Sequence, residues 1–357
     1  MSTVFERPGV YTSYEVSGTQ YSGQAGGVVG LAALAEKGDS GTVYEITADT
    51  QAQAAFGAAS PITELVRLML LNGVAEIRAV PLQAAQDSTV PAAADYTGAF
   101  QLLTARADVE LIVCDSADAA VHTALKTAIM TAGQRCAHKI GVVESGAETA
   151  AAMVSAAQAI NCERIVVAAP AALTADGKTA VTGSLAAALA GAIVSEKDPA
   201  IPLNGAELYG LGGVSMDFTD GEINTLVRGG VTPVECVGST VSAVRGITSK
   251  TQDSAGEPYY TYRELTTVRI IDDVIPDVRD KLRANFTRTK NTAQTRGAIR
   301  TQVIIELEKK LAAQIIESYG NVTVEADADD PTVCLVTFEF MVAHGLNQIR
   351  ITANITV

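Results

Sequence analysis

The four residues Asp176-Gly177-Lys178-Thr179 carry the G-K-T of a phosphate-binding loop. In such a loop the Lys reaches the phosphates and the hydroxyl holds Mg2+, while backbone N–H groups form the cradle. The cradle also needs a glycine five positions before Gly177, and this chain has Ala172 there, so the stretch reads as a surface turn. The glycines at 23, 26, 27 and 30 do not make G-x-G-x-x-G. Close strand packing accounts for them. His122, His138 and His344 fall in different elements without metal-ligand spacing, and read as surface or capped histidines. No Ser sits in G-x-S-x-G. Asp272-Asp273 resembles a carboxylate pair for acid–base work, but Arg269 and Arg279 nearby make salt bridges the simpler reading. No catalytic, cofactor-binding or metal site is assigned.

The elements that would position such groups follow from periodicity. Residues 26–34 are a small apolar run, read as a buried strand. Residues 61–72 (P-I-T-E-L-V-R-L-M-L-L-N) place Pro in a first helical turn and Leu65, Leu68, Met69 and Asn72 at helical spacing, with Gly73 after them; residues 74–80 are then a strand. The composition turns to Ala, Asp, Ser, Thr and Pro around residues 83–97, which marks a candidate boundary. From about 100 to 247, apolar runs at 109–114, 139–143 and 164–169 alternate with helical patterns at 117–135, 148–160 and 183–195. Such alternation predicts a mainly parallel α/β sheet. Polar residues 248–256 read as a return linker.

Beyond it, residues 268–274 look strand-like and 276–286 helical. Ile299, Val303, Ile304, Leu307, Leu311 and Ile315 form an i, i+4, i+8 stripe over 291–319, with Gly320-Asn321 as its stop. Residues 322–325 and 333–342 read as a hairpin across the acidic turn 327–331. The economical architecture is α/β in class: an α+β terminal domain built from both chain ends (21–90 plus 257–345), with a mainly parallel α/β domain (91–256) inserted between.

Composition limits the partners. The chain has 357 residues and a net charge of −14, which argues against general nucleic-acid binding and against an anionic membrane surface. Five widely spaced cysteines without C-x-x-C predict neither a disulfide framework nor a zinc site, and fit folding in a cytoplasm. No signal peptide or membrane span is expected.

The two ends are the most distinctive segments. Residues 349–357 (I-R-I-T-A-N-I-T-V) alternate Ile349, Ile351, Ala353, Ile355 and Val357 with polar residues up to the last position, the pattern of a half-buried strand. Near the start, Val10, Thr12, Tyr14 and Val16 alternate with Tyr11, Ser13 and Glu15. Strand arms at both termini (1–20 and 346–357) predict a building block that links to copies of itself. Between them, residues 279–300 hold seven basic residues (Arg279, Lys281, Arg283, Arg288, Lys290, Arg296, Arg300) against one acid, Asp280, and the segment continues towards Lys309 and Lys310. A solvated helix face or a patch for an acidic partner both explain this.

In this order the pieces resemble the sheath protein of contractile phage tails and of related particles such as R-type bacteriocins. The resemblance is carried by Pro8-Gly9-Val10-Tyr11 with Glu15, the run 27–33 leading to Phe56-Gly57, and residues 71–80 (L-N-G-V-A-E-I-R-A-V). In the last third it is carried by Arg263-Glu264-Leu265, Arg269-Ile270-Ile271-Asp272-Asp273, Ile299-Arg300 and residues 348–357. The central section matches only in general α/β style.

The resemblance implies a structural subunit that stacks as hexameric rings around an inner tail tube protein, ending at baseplate and tail terminator proteins. Assembly would take place in the bacterial cytoplasm without cofactor or membrane insertion. It further implies that the terminal arms complete a sheet in neighbouring subunits, and that the extended sheath contracts. The basic segment is then a candidate tube-facing surface. A nucleotide- or phosphate-binding α/β enzyme and another ring-forming tail component stay open as alternatives.

Overall fold

The computed structural model describes residues 26–84 and 88–352. The first part of the chain runs β1 (Gly26–Leu34), β2 (Tyr44–Ile46), α1 (Asp49–Phe56), α2 (Pro61–Leu71), β3 (Val74–Leu82), α3 (Ala93–Thr104), β4 (Val109–Cys114) and α4 (Ala119–Gly133). Next come β5 (Ile140–Glu144), α5 (Ala150–Ile160), β6 (Ile165–Ala169), β7 (Ala172–Leu173), α6 (Ser184–Ser195), β8 (Gly213–Val214), α7 (Asp220–Arg228), β9 (Val231–Val237) and β10 (Thr240–Ala243). The last part is α8 (Leu265–Phe286), α9 (Ala293–Ala312), β11 (Ile316–Ala326) and β12 (Cys334–Val342).

One eight-stranded sheet, in the order β10-β9-β6-β5-β4-β1-β3-β2, organises the body. Its inner strands are parallel, and only β2 and β10 at the edges run antiparallel. Helices cover both faces, which is why the strands read as continuous apolar runs rather than alternating ones. Along β1, Val29, Leu31 and Ala33 point into one core with α2 and α6. Ala32 points into the other, with α3, α4 and α5. The Ala-rich α6 is buried along nearly its whole length, its small side chains letting it lie between α2 and the sheet.

The α/β class with a mainly parallel sheet is thus what the chain shows, but the expected divisions move. Residues 88–92 lead into α3, and the crossover β3-α3-β4 passes over β1, which pairs with β3 on one side and β4 on the other. Strands on both sides of residue 90 therefore share one sheet. A second, smaller core gathers Ile270, Val274, Val278, Val303, Leu307, Ile316 and Val322. It is built from α8, α9, β11 and β12 and takes no residue from 26–90.

Within this unit four sequence expectations are corrected. Residues 268–274 are helical, not a strand: Ile270, Val274 and Val278 lie at i, i+4 and i+8 on the buried face of α8, and that periodicity outweighs their β-branched preference. Pro276, read as a helix start, lies inside the same helix. The stripe begun in α9 ends earlier than expected, at Ala312, where Gln314 takes a left-handed conformation (φ 59°) and turns the chain into β11. Gly320 and Asn321 then sit at a bulge within β11 rather than at a helix end.

Candidate functional site: an open two-stranded sheet and an unpaired tail

The β11–β12 hairpin is the exposed counterpart of the buried main sheet. Along β12, half-buried Cys334, Val336, Phe338, Phe340 and Val342 alternate with exposed Leu335, Thr337, Glu339 and Met341. Of the inward set, Val336, Phe338, Phe340 and Val342 join the small core, with the rings of Phe338 and Phe340 stacked 6.3 Å apart. The connecting turn is stiffened by its own carboxylates. Asp327 Oδ1 accepts from the N–H groups of Asp329 and Asp330, and Asp330 Oδ1 from Thr332. Those donors hold both acids below the ordinary carboxylate range.

Only two strands form this sheet, so among the described residues the outer edges of both β11 and β12 are unpaired. An open edge presents a row of free N–H and C=O groups to any passing strand. Directly after β12 the chain enters a segment with strand-like alternation and no strand partner among the described residues. Residues 343–352 have no regular structure, and Leu346, Ile349 and Ile351 are 72%, 74% and 87% exposed. The remaining arm residues (Val10, Tyr11, Thr12, Tyr14, Val16, Ala353, Ile355, Val357) lie outside the described residues.

The basic segment divides. Lys281, Arg283, Arg288 and Lys290 are exposed at the end of α8 and in the loop after it. Arg296 donates to Asn291 Oδ1 and Arg300 Nε to the Val322 carbonyl, both at 2.9 Å. Arg279 is paired with Asp280, and Lys309 with Glu306. Lys310 does not belong to the surface set: its side chain is 12% exposed and its Nζ lies 2.6 Å from both Asp273 and Asp277.

Asp272 and Asp273 are indeed ion-paired, but to partners distant in sequence. Arg164 grips Asp272 through two hydrogen bonds of 2.7 and 2.8 Å, and Lys310 takes Asp273. Arg269 instead donates to the Glu196 carbonyl. Neither local sequence nor periodicity signals these long-range pairs.

The groups that could do chemistry are spent or scattered. Gly177 lies in a tight exposed turn (φ 76°) with Lys178 ion-paired to Asp176, and α6 begins only at Ser184. His122 is buried rather than on the surface, with Nε2 2.8 Å from the Ser116 carbonyl oxygen, and burial pushes its pKa down. His138 lies on the loop before β5, and His344 is in the tail after β12. Among the described residues no cluster of His, Cys, Asp or Glu has the makings of a metal site, and no helix is long and apolar enough to cross a membrane.

Open α/β sheets bind ligands at the carboxyl ends of their strands. Here those ends are filled by the chain's own carboxylates. Asp115, after β4, accepts from the Leu34 N–H at 2.7 Å and the Tyr96 hydroxyl at 2.5 Å. Glu144, the last residue of β5, accepts through Oε2 from the N–H groups of Gly183 and Leu185 at 3.0 and 3.1 Å. It thereby occupies the anion position at the N-terminus of α6. Gly183 is required there: its φ is 90°, and a Cβ would stand 2.6 Å from the Cys114 carbonyl oxygen. A cleft of about 700 Å³ lies at the opposite end of the strands, between the starts of β4 and β5 and the helix α8.

Burial pushes Glu144 up to about 7 from 4.5, against the pull of its backbone donors. The fold therefore favours the protonated carboxyl. That advantage is complete below pH 4.5 and is lost as pH rises through about 7, up to about 3 kcal/mol. Glu144→Gln keeps an acceptor oxygen for both N–H groups. It is expected to raise the urea midpoint relative to the parent at about pH 8 and to leave little difference at about pH 5. An equal difference at both pH values would contradict this account of Glu144.

The family profile "Phage tail sheath protein central domain" matches residues 89–249, and "Phage tail sheath C-terminal domain" matches residues 258–356. The fold is similar to the helical sheath of the anti-feeding prophage in its contracted state (17% identity, 99% of each chain covered, TM-score 0.71). It is also similar to a chain of that particle's baseplate (16% identity, 99% of this chain and 100% of that one, TM-score 0.72). A third similar structure is the sheath tail protein of Desulfitobacterium hafniense (12% identity, 94% of this chain and 100% of that one, TM-score 0.69). No curated protein matches the sequence.

Proposed function

This chain belongs to the phage tail sheath protein family, and on that premise we propose that it is the repeating, non-enzymatic subunit of a contractile sheath. Its copies stack as hexameric rings around an inner tail tube, part of a phage tail or tail-like particle assembled in the bacterial cytoplasm between baseplate and terminator proteins. The sheath is built in an extended, metastable form and shortens by rigid-body movement of its subunits. New contacts between subunit surfaces supply the work, and a kinetic barrier holds the extended form until the baseplate releases it.

The observation that supports this reading best is the pairing of supply and demand in one small unit: a sheet whose two outer edges have no partner among the described residues, and a strand-like segment with Ile349 and Ile351 in solvent. Exchange of such strands between copies is a heterologous contact that does not close on itself, the geometry of a helical filament. Purified full-length protein is expected to form tubes visible by electron microscopy without added nucleotide. Persistent monomers, or tight stoichiometric nucleotide binding, would overturn the proposal.

The tube-facing surface is assigned to the basic segment, centred on Lys281, Arg283, Arg288 and Lys290, with Arg296 and Arg300 beside them. Opposed charges of this kind set register and encounter more than affinity. Replacing the four central residues by Gln is expected to weaken co-assembly with tube protein roughly tenfold at low salt and to flatten its salt dependence. Unchanged co-assembly across a salt series would remove the segment from the interface.

A further inference from the structure

We propose that residues 345–347 form a latch that ties the root of the C-terminal tail to its own α/β body, so that the tail cannot complete its own sheet and is presented to a second copy of the chain. The inference rests on the strand-exchange reading of the proposed function and adds the residues that enforce it.

The physical problem is that self-completion is the default. Consecutive strands pair with each other more often than not, and the alternating tail comes directly after β12, whose outer edge has no partner among the described residues. A short reversal after Val342 would lay Ile349 and Ile351 along that edge. Every arm would then be used within its own molecule, and no filament would form.

The chain takes another course. Ala343 N–H still donates to the Ile315 carbonyl at 3.2 Å, within the small unit. Two residues later Gly345 crosses onto Pro202, in the loop after α6 that belongs to the α/β body. A Cβ on Gly345 would stand 2.8, 2.9 and 3.2 Å from three ring carbons of Pro202, and a pyrrolidine ring cannot swing aside as a flexible side chain would. Asn204 Nδ2 then donates to Asn347 Oδ1 at 2.7 Å. The other end of that amide, Asn204 Oδ1, is buried without a partner, so losing Asn347 leaves the whole Asn204 side chain unpaired. Past this point Ile349 and Ile351 run out into solvent. The latch uses one glycine and two amides, and no apolar residue of the tail is consumed by it.

The test uses the full-length chain with Gly345→Val, Asn347→Ala or both, alongside a chain truncated after Gln348. Thermal melts establish that each variant folds; Asn347→Ala, at an exposed position, guards against misfolding by the valine. Two quantities are read: the critical concentration for polymerisation by sedimentation, and hydrogen exchange of tail amides in the dilute monomer. The latch variants are expected to raise the critical concentration about tenfold or more, while their tail amides become slower to exchange as the tail folds onto β12. Parent-like polymerisation with fast-exchanging tails would overturn the latch, and so would lost polymerisation without any gain in protection. If the truncated chain still polymerises, it is the strand-exchange reading that fails.

Discussion

A chain ending at Gln348 is expected to fold as stably as the full-length protein and to make no tubes. Stability should be unaffected because Ile349 and Ile351 are 74% and 87% exposed in the single chain. Exposed positions of this kind contribute within about 0.5 kcal/mol. Assembly is different. Burying these two side chains against a neighbour's sheet is worth at most about 1.5–3 kcal/mol each. Even after ordering entropy, the loss of a few kcal/mol per contact corresponds to a hundredfold or greater loss of affinity, at about 1.4 kcal/mol per factor of ten. That loss recurs at every subunit, so propagation stops rather than slows. Sedimentation velocity with electron microscopy of the two chains at matched concentration reads the difference directly. Tubes from the truncated chain would refute strand exchange by the tail.

The second large effect is expected at the joint between the body and the small unit. α8 contributes Leu265 and Val268 to the main core and Ile270, Val274 and Val278 to the small one. Its flank is pinned to the body by the paired hydrogen bonds of Arg164 to Asp272. The two side chains are 11% and 22% exposed. Arg164→Ala would leave the Asp272 carboxylate poorly solvated and alone, a change that costs about 3–5 kcal/mol when the pair is buried. Partial exposure places the expected loss towards the lower end of that range. Arg67→Ala provides the contrast. Its pairing with Glu64 is an i,i+3 contact with side chains 38% and 37% exposed, and its loss should cost less than about 1 kcal/mol. Urea denaturation of both variants tests the ranking, and equal losses would mean that Asp272 is better solvated than its surroundings indicate.

The Arg164–Asp272 pair also marks where the sequence stops being legible. Patterns local in the chain were readable: Pro61 opens α2 as its first residue, and the apolar runs at 109–114, 139–143 and 164–169 coincide closely with β4, β5 and β6. Whatever depends on distant residues was not. Nothing local places β1 between β3 and β4, since a parallel crossover is fixed by the packing of helices on both faces. Asp272 was readable as ion-paired, but its partner lies 108 residues away. Residues 268–274 misled because a β-branched run with a following proline fits a strand ending at a helix as well as one continuous helix. In the candidate site, the alternation of residues 349–352 was legible, since a strand pattern keeps its period whatever sheet it joins. The latch was not: Gly345 and Asn347 carry no signal until Pro202 and Asn204 are beside them.

The most direct measurement is a cryo-electron microscopy map of tubes formed by the full-length chain, at a resolution that traces the backbone. The strand-exchange account predicts that the β11–β12 sheet of each subunit carries an added strand, and that residues 349–352 forming it trace back to another copy. A map in which those residues run along their own β12, or in which β11–β12 remains two-stranded throughout the tube, would contradict it.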